Sequence, residues 1–381
     1  MHILKCHEIV KTDFERAENC YVYDSQGRRH VDFESGIWCT ILGHNHPRIN
    51  KVIESQIQKV AHLGTRYLSG ITEEAAVEVL RITGINNGKC VFLSSGSEAV
   101  EFGLQIARRV SGKPLWLTLT RSYLGAYGSA GRKDTTEAWL LDWEKVLDQS
   151  IEEFLFQIPF EQIGVFVFEP GGSGSGFVKF PPREVVQAIY DKIRQAGGVV
   201  VINEVTTGIG RTGKWFGFQH YDLDPDIVAM GKGLGNGYPV SAVAIRRELA
   251  EELESMGFYY AQSHQNDPLG AAVAREVIIT IQEENWIDRG REKGEYFLAG
   301  LKQLESDCEL VKEARGRGML LGLEIWPCEQ RNVQDIYRLL LDRGFLVGYY
   351  SAGNVLRFDP ALTIERQDIA RLLEILREIL S

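Results

Sequence analysis

Three short stretches hold the residues best suited to chemistry. In "DIVAMGKGLGNGYPV", Lys232 follows an apolar run and sits in a glycine-rich bend. A loop lysine is ordinarily solvated and inert. At a sheet's C-terminal edge a lysine can also be partly desolvated, which disfavours the ammonium and leaves an amine able to act as a Schiff-base nucleophile. In "FLSSGSEAVEFGLQIARR", Ser95, Gly96 and Ser97 stand between a strand-like run and a helix-like one. Small residues there expose the free N–H groups of a first helical turn to an anion, and the helix dipole adds to the attraction. A plain serine N-cap accounts for the same residues equally well. In "VVVINEVTTGIGRTG", an apolar run ends in Asn203, where an acid would be more usual, and Gly208, Gly210 and Gly213 spell G-x-G-x-x-G. That spacing signals a dinucleotide site only when a helix follows the glycines. The residues that follow, "KWFGFQHYDLDPD", are aromatic and turn-rich. A tight structural loop is expected instead.

The scaffold for these residues is legible in the hydrophobic pattern. "VFLSS", "PLWLTLT", "IGVFVFEP", "VVVINEV", "DIVAMGK" and "SAVAIRR" read as strands, and "TEEAAVEVLRIT", "SEAVEFGLQIARRV" and "REVVQAIYDKIRQAG" as helices. Apolar strands alternating with helices indicate an α/β fold with a mostly parallel sheet covered on both faces. Ahead of this region, "YVYDSQGRRHVDF" reads as a hairpin and "HPRINKVIESQIQKVA" as a helix. After Pro268 come helical "LGAAVAREVIITIQEE", the strands "MLLGLEI" and "VLRFDPA", and the helix "ERQDIARLLEILREIL". This α+β tail is expected to pack with the N-terminal hairpin as a smaller domain. The expected division is residues 1–48 and 276–381 for the small domain and 49–275 for the large one. A lysine nucleophile beside a phosphate cradle suggests pyridoxal phosphate, an electron sink for amino-acid chemistry.

Composition narrows the partners. The 381 residues are 44% hydrophobic and 25% charged, with a net charge of -10. Phosphate-rich partners would be repelled, so no nucleic acid and no anionic membrane surface is expected. No apolar run reaches the length of a membrane span, and "MHILKCHEIVKTDFERAE" lacks the core of a signal peptide, so a cytoplasmic protein is expected. The six cysteines match no zinc or disulfide pattern and are expected to be reduced. His44 and His46 in "GHNHP" are read as a turn, and no metal is expected.

Taken in order along the chain, "YVYDSQGRRHVDFESGI", "LGHNHPRI", "SSGSEAVEFGLQIAR", "FEPGGSGSG", "NEVTTGIGRTGKWFGFQHYDLDPDIVAMGKGLGNGYPV", "NDPLGAAVA", "EARGRGMLLGLEI" and "VLRFDPALTI" resemble the class III, fold-type I pyridoxal-phosphate aminotransferases. The resemblance spans nearly the whole chain. It implies a homodimer with shared active sites that moves an amino group between an amino acid or amine and a keto acid. It implies that Lys232 links to the cofactor and shuttles the proton between Cα and C4′. Gly96 and Ser97 would hold the phosphate. Tyr123 and Val205 would pack on the two faces of the ring, and Thr206 would stand near the ring hydroxyl. Ser263 would reach the phosphate of the partner subunit. Arg357 would grip the substrate α-carboxylate, a task its bidentate fork suits. Trp38 and Cys39 would line the substrate pocket.

Two positions depart from the family pattern. The family strand normally ends in Asp-Glu, with the Asp pairing the protonated ring nitrogen; here Asn203 stands in that place. An amide can hydrogen-bond the nitrogen but cannot raise its pKa by charge, so a weaker electron sink is expected. Three readings stay open: an aminotransferase that tolerates Asn203, a racemase, epimerase or other Cα-chemistry enzyme on the same scaffold, or a cofactor-binding protein with little catalysis. The second departure is Gly174, which takes the place of a loop Glu that pairs with a pocket arginine in ornithine- and 4-aminobutyrate-type members. Glu169, just before that loop, reads as a structural hydrogen-bonder at a strand end.

Overall fold

The computed structural model describes residues 2–133, 136–148, 150–172, 176–327 and 332–381, so Gly174 lies outside the described residues. The N-terminal segment forms β1 (Phe14–Glu18), β2 (Tyr21–Asp24) and β3 (Arg29–Asp32). The central strands are β4 (Lys89–Leu93), β5 (Leu115–Leu119), β6 (Ala138–Leu141), β7 (Ile163–Phe168), β8 (Val199–Asn203), β9 (Ile227–Met230) and β10 (Ser241–Ile245). They make one seven-stranded sheet in the order β4-β10-β9-β8-β7-β5-β6. The pairs β5–β6, β5–β7, β7–β8 and β8–β9 are parallel, and β10 runs antiparallel to both β9 and β4.

The apolar runs are continuous because both faces are covered. Phe166, Phe168, Val200, Ile202, Val228 and Met230 share one core with Val186, Ile189 and Ile193 of the helix Arg183–Gln195. The alternate residues Val165, Val167, Val199, Val201, Ile227 and Ala229 pack with Phe102 and Ile106 of the helix Gly96–Ser111. The expected mostly parallel, two-faced sheet is therefore present. Short β6 and the 22-residue helix Trp286–Asp307 are elements the hydrophobic pattern had not marked.

The C-terminal tail supplies β11 (Val311–Arg317), β12 (Leu320–Ile325), β13 (Phe345–Leu346), β14 (Gly348–Tyr350) and β15 (Val355–Phe358). One four-stranded sheet has the order β11-β12-β15-β14, and β13 pairs in parallel with β3 to complete another. The N-terminal hairpin and the tail are thus joined by backbone hydrogen bonds. Strands β4, β5, β7, β8 and β9 all run the same way, so the loops after them gather at one edge of the central sheet. That edge is where ligands bind in sheets of this kind.

Candidate active site

Lys232 lies two residues after the end of β9 and adopts a left-handed backbone, φ +46°. Such a conformation is costly for a side-chain-bearing residue and persists only where the surroundings impose it. Its Nζ donates to Thr206 Oγ1 at 3.1 Å and lies 4.3 Å from the centroid of the Trp38 ring. Burial pushes the amine down to about 8. Of the solvated and the desolvated reading of this lysine, its surroundings favour the second.

The glycine-and-serine turn after β4 forms the N-terminus of the helix Gly96–Ser111. Glu98 accepts from the N–H groups of Ser94 and Ser95, and Ser95 Oγ accepts from Glu98 N, a reciprocal capping box. The pair S-x-x-E was a readable signal for it. Capping consumes those donors and leaves the N–H groups of Gly96 and Ser97 without a partner among the described residues. Two free donors at a helix N-terminus suit a phosphate. Ser97 Oγ accepts from Ala126 N at 3.0 Å and so ties this turn to the loop after β5.

Gly96 is needed for a packing reason. A Cβ on it would meet Val205 Cγ1 at 2.5 Å. Substitution Gly96→Ala is expected to displace Val205, cost about 1–3 kcal/mol by overpacking and weaken cofactor retention. Thermal denaturation with and without added cofactor separates the two effects.

Asn203 ends β8 and is only 4% exposed. Its Nδ2 donates to the Tyr123 carbonyl at 2.9 Å, and its Oδ1 accepts from Val205 N at 3.1 Å. Tyr123 N in turn donates to Glu169 Oε2 at 2.7 Å. Glu169 therefore positions the Tyr123 loop, in line with its reading as a structural hydrogen-bonder. Lys133 also braces this loop by donating to the Ser122 carbonyl. No sequence signal marked Lys133.

Trp38 is held by an unusual backbone. Ser35, Gly36, Ile37 and Trp38 all have positive φ, between +42° and +66°, one turn of left-handed helix. Left-handed turns are costly for L-residues, so this one is held by its surroundings. Arg211 supplies part of the grip by donating to Ser35 Oγ at 3.0 Å. Cys39 follows the turn, and burial raises its thiol above the ordinary range. Arg357, on β15, stacks 3.8 Å over the Trp38 ring. It is paired with Glu34 at 2.7 Å and Asp359 at 3.1 Å. Neither acid was marked in the sequence, because each matters only through a partner more than 300 positions away or across a strand end.

The structure thus brings together Lys232, Thr206, Trp38, Cys39 and Arg357, links Asn203, Val205 and Tyr123 by hydrogen bonds, and packs Gly96 on Val205. Ser263 lies exposed, with no hydrogen bond or ion pair to the others among the described residues. Beside it, His62 and His264 each bond one oxygen of Asp267 at 2.6 Å.

The amino-acid sequence matches the family pattern described as Aminotransferase class-III over residues 5–130 and 127–380. The chain belongs to the class III aminotransferases. Among its relatives, acetylornithine aminotransferase of Aquifex aeolicus is 30% identical, with 100% of each chain covered. The [LysW]-aminoadipate semialdehyde/glutamate semialdehyde transaminase of Sulfolobus acidocaldarius is 27% identical over 95% of this chain and 93% of that one. Among solved structures, the taurine:2-oxoglutarate aminotransferase of Bifidobacterium kashiwanohense, in complex with PLP and glutamate, superposes with a TM-score of 0.90 at 19% identity, covering 99% of this chain and 94% of that one. As a class III aminotransferase the chain has the fold-type I architecture, uses pyridoxal 5′-phosphate and acts on amino compounds.

Proposed function

We propose that Lys232 is the catalytic residue of this aminotransferase and that the surrounding loops divide the binding work as the resemblance implies. The observation that carries the reading is the desolvated amine of Lys232 on Thr206, with the preceding Gly231 packed against Gly96 at the turn that holds the two free N–H groups. When bound, the cofactor withdraws electrons from the carbon that bears the amino group and acidifies its C–H bond. Lys232 Nζ takes that proton and later returns it. Thr206 Oγ1 orients Nζ, Gly96 and Ser97 hold the phosphate, and Val205 and Tyr123 flank the ring. Trp38 and Cys39 line the substrate side, and Arg357 receives a carboxylate.

Asn203 is the residue that tunes the reaction. Its amide is oriented by two backbone groups, one that can only accept and one that can only donate. A carboxylate in its place would set two acceptors 2.9 Å apart at the Tyr123 carbonyl. Asn203→Asp is therefore expected to destabilise the cofactor-free chain by about 1–3 kcal/mol. If the resemblance sets the cofactor's ring nitrogen at this position, a carboxylate here would favour its protonated form, and amino-group transfer is expected to rise about tenfold. Denaturation of both forms and single-turnover transfer rates check the pair of effects. The amide also favours chemistry that returns the proton to Cα. Incubation of single-enantiomer amino acids in deuterated water without keto acid discriminates: loss of chirality alone supports racemisation, keto-acid formation supports transfer.

A homodimer with shared sites fits the chain's surface. Ser263 is exposed, as a residue that serves the partner's phosphate must be. Tyr67, Leu68 and Val77 leave 70%, 86% and 60% of their surface exposed along one groove of about 710 Å³. Apolar exposure of that kind marks an interaction surface. The large domain is read as residues 49–275, framed by 1–48 and 276–381; the seven-stranded sheet lies within the first. Among the described residues no helix is long and apolar enough to cross a membrane, and a cytoplasmic location accords with that.

A further inference from the structure

Outside the catalytic groups, two imidazoles and one carboxylate meet at the start of the helix Pro268–Glu283. His62 Nδ1 lies 2.6 Å from Asp267 Oδ1, and His264 Nδ1 lies 2.6 Å from Asp267 Oδ2. Among the described residues this is the one group of three histidine, cysteine or acidic side chains whose ligand atoms all fall within 4.8 Å of one another. No spacing in the sequence marks it, because His62 and Asp267 stand 205 positions apart. Asp267 is the N-cap residue of that helix, yet its side chain makes no capping bond. An aspartate there ordinarily accepts from the first helical turn. Here both oxygens turn to the histidines, and Leu269 N donates to the Ala61 carbonyl at 3.4 Å instead. That bond holds the residue before His62 against the helix that Asp267 begins. Asn266 exchanges two bonds with Phe92 of β4, both at 2.9 Å, and so fixes the chain on the other side of Asp267. The two rings stand 4.9 Å apart, and a cavity of about 280 Å³ opens beside His264 and Asp267, lined also by Ser94 and Tyr238.

We propose that His62, His264 and Asp267 form a binding site for a divalent transition cation of the zinc class. Two imidazoles and a carboxylate are a ligand set that suits Zn²⁺, whereas Mg²⁺ and Ca²⁺ take oxygen ligands. Ligands about 2.0–2.2 Å from zinc lie about 3.4 Å apart in a tetrahedron. The 2.6 Å contacts and the 4.8 Å outer limit bracket that spacing, so small rotations of the side chains admit the ion. Coordination through Nδ1 places each ring proton on Nε2. Water can accept those protons in hydrogen bonds, since the His62 and His264 side chains are 48% and 63% exposed. Water from the adjoining cavity completes the fourth position. The bound ion ties the turn that carries His264 to the segment that carries His62. The proposal is independent of the roles assigned to Lys232 and Arg357.

The test titrates Zn²⁺ by calorimetry into the cofactor-loaded, chelator-treated parent and into His62→Gln, His264→Gln and Asp267→Asn, with Mg²⁺ for comparison. The parent is expected to take up one Zn²⁺ per chain at this site and to bind Mg²⁺ far more weakly. Each variant is expected to bind that Zn²⁺ at least about tenfold more weakly, because even the outer hydrogen-bond partners of metal ligands are worth about that much. Zn²⁺ is also expected to raise the denaturation temperature of the parent and not that of the variants. The two histidine variants alter exposed side chains and keep the test open should Asp267→Asn fail to fold. Zn²⁺ binding that survives both histidine substitutions, as it would if the exposed His2, Cys6 and His7 held the ion, overturns the proposal. So does a parent that binds no Zn²⁺, or one that binds Mg²⁺ as tightly.

Discussion

Replacement of Lys232 by alanine is expected to lower amino-group transfer by at least about 10⁴-fold, because the chain then lacks both its nucleophile and its base. The absorbance of covalently held cofactor should disappear with it. The loss should not come from unfolding. Burial lowers the lysine to about 8 in the folded chain, whereas the unfolded chain keeps the ordinary range near 10.4. Below about 8 both states hold the proton and the folded state bears the full penalty of a desolvated cation. Between about 8 and 10.4 only the unfolded chain holds it, so stability rises with pH through that window. Alanine removes the penalty, and the cofactor-free variant should melt no lower than the parent at pH 7. The same shift sets the rate of cofactor attachment. At pH 7 roughly a tenth of the amine is neutral, against less than about a thousandth for an ordinary lysine. Attachment to the cofactor-free protein should therefore speed up about tenfold per pH unit below about 8 and level off above it. Stopped-flow absorbance across pH checks this; a plateau only near the ordinary lysine range would contradict the desolvated amine.

Arg211→Ala is expected to cost about 3–5 kcal/mol, enough to lower the denaturant midpoint sharply. Arg211 is fully enclosed and donates to the carbonyls of Met319, Asp359 and Pro360 and to Ser35 Oγ. Burial lowers it to about 10, still charged at neutral pH. Removing it leaves the carbonyls of Met319 and Pro360 without that donor and deprives the buried Asp359 of a neighbouring cation. Arg211→Lys keeps the charge but cannot reach all four acceptors, so an intermediate loss is expected, measured by urea titration of both variants. Because Arg211 grips Ser35, both variants should also disturb the turn that carries Trp38, seen as a rise in substrate KM.

Arg211 also explains the loop whose glycines spell G-x-G-x-x-G. Gly210 and Gly213 adopt φ +87° and +81°. Met319 N donates to the Arg211 carbonyl at 2.9 Å, and Gly318 packs on the loop so tightly that a Cβ there would meet Gly213 N at 2.5 Å. The loop is a fastener between the central sheet and the C-terminal tail. The absence of a following helical pattern was enough to reject the nucleotide reading; which surfaces the loop joins was invisible, because Arg211 and its acceptors lie more than 100 positions apart.

The sequence by itself determined the α/β class, the order of the central apolar strands, the lysine after β9 and the small-residue turn after β4. Hydrophobic periodicity and turn chemistry are local, and a parallel sheet buried on both faces writes itself as unbroken apolar runs. It also carried the family, through many short motifs in order. Tertiary structure alone decided what each group meets. It set Asn203 between the Tyr123 carbonyl and the Val205 amide, closed Glu34 and Asp359 onto Arg357, and wound Ser35–Trp38 left-handed under Lys232 and Arg357. Those contacts join segments from opposite ends of the chain, and charge pairing and burial depend on distance in space, which no local spacing encodes.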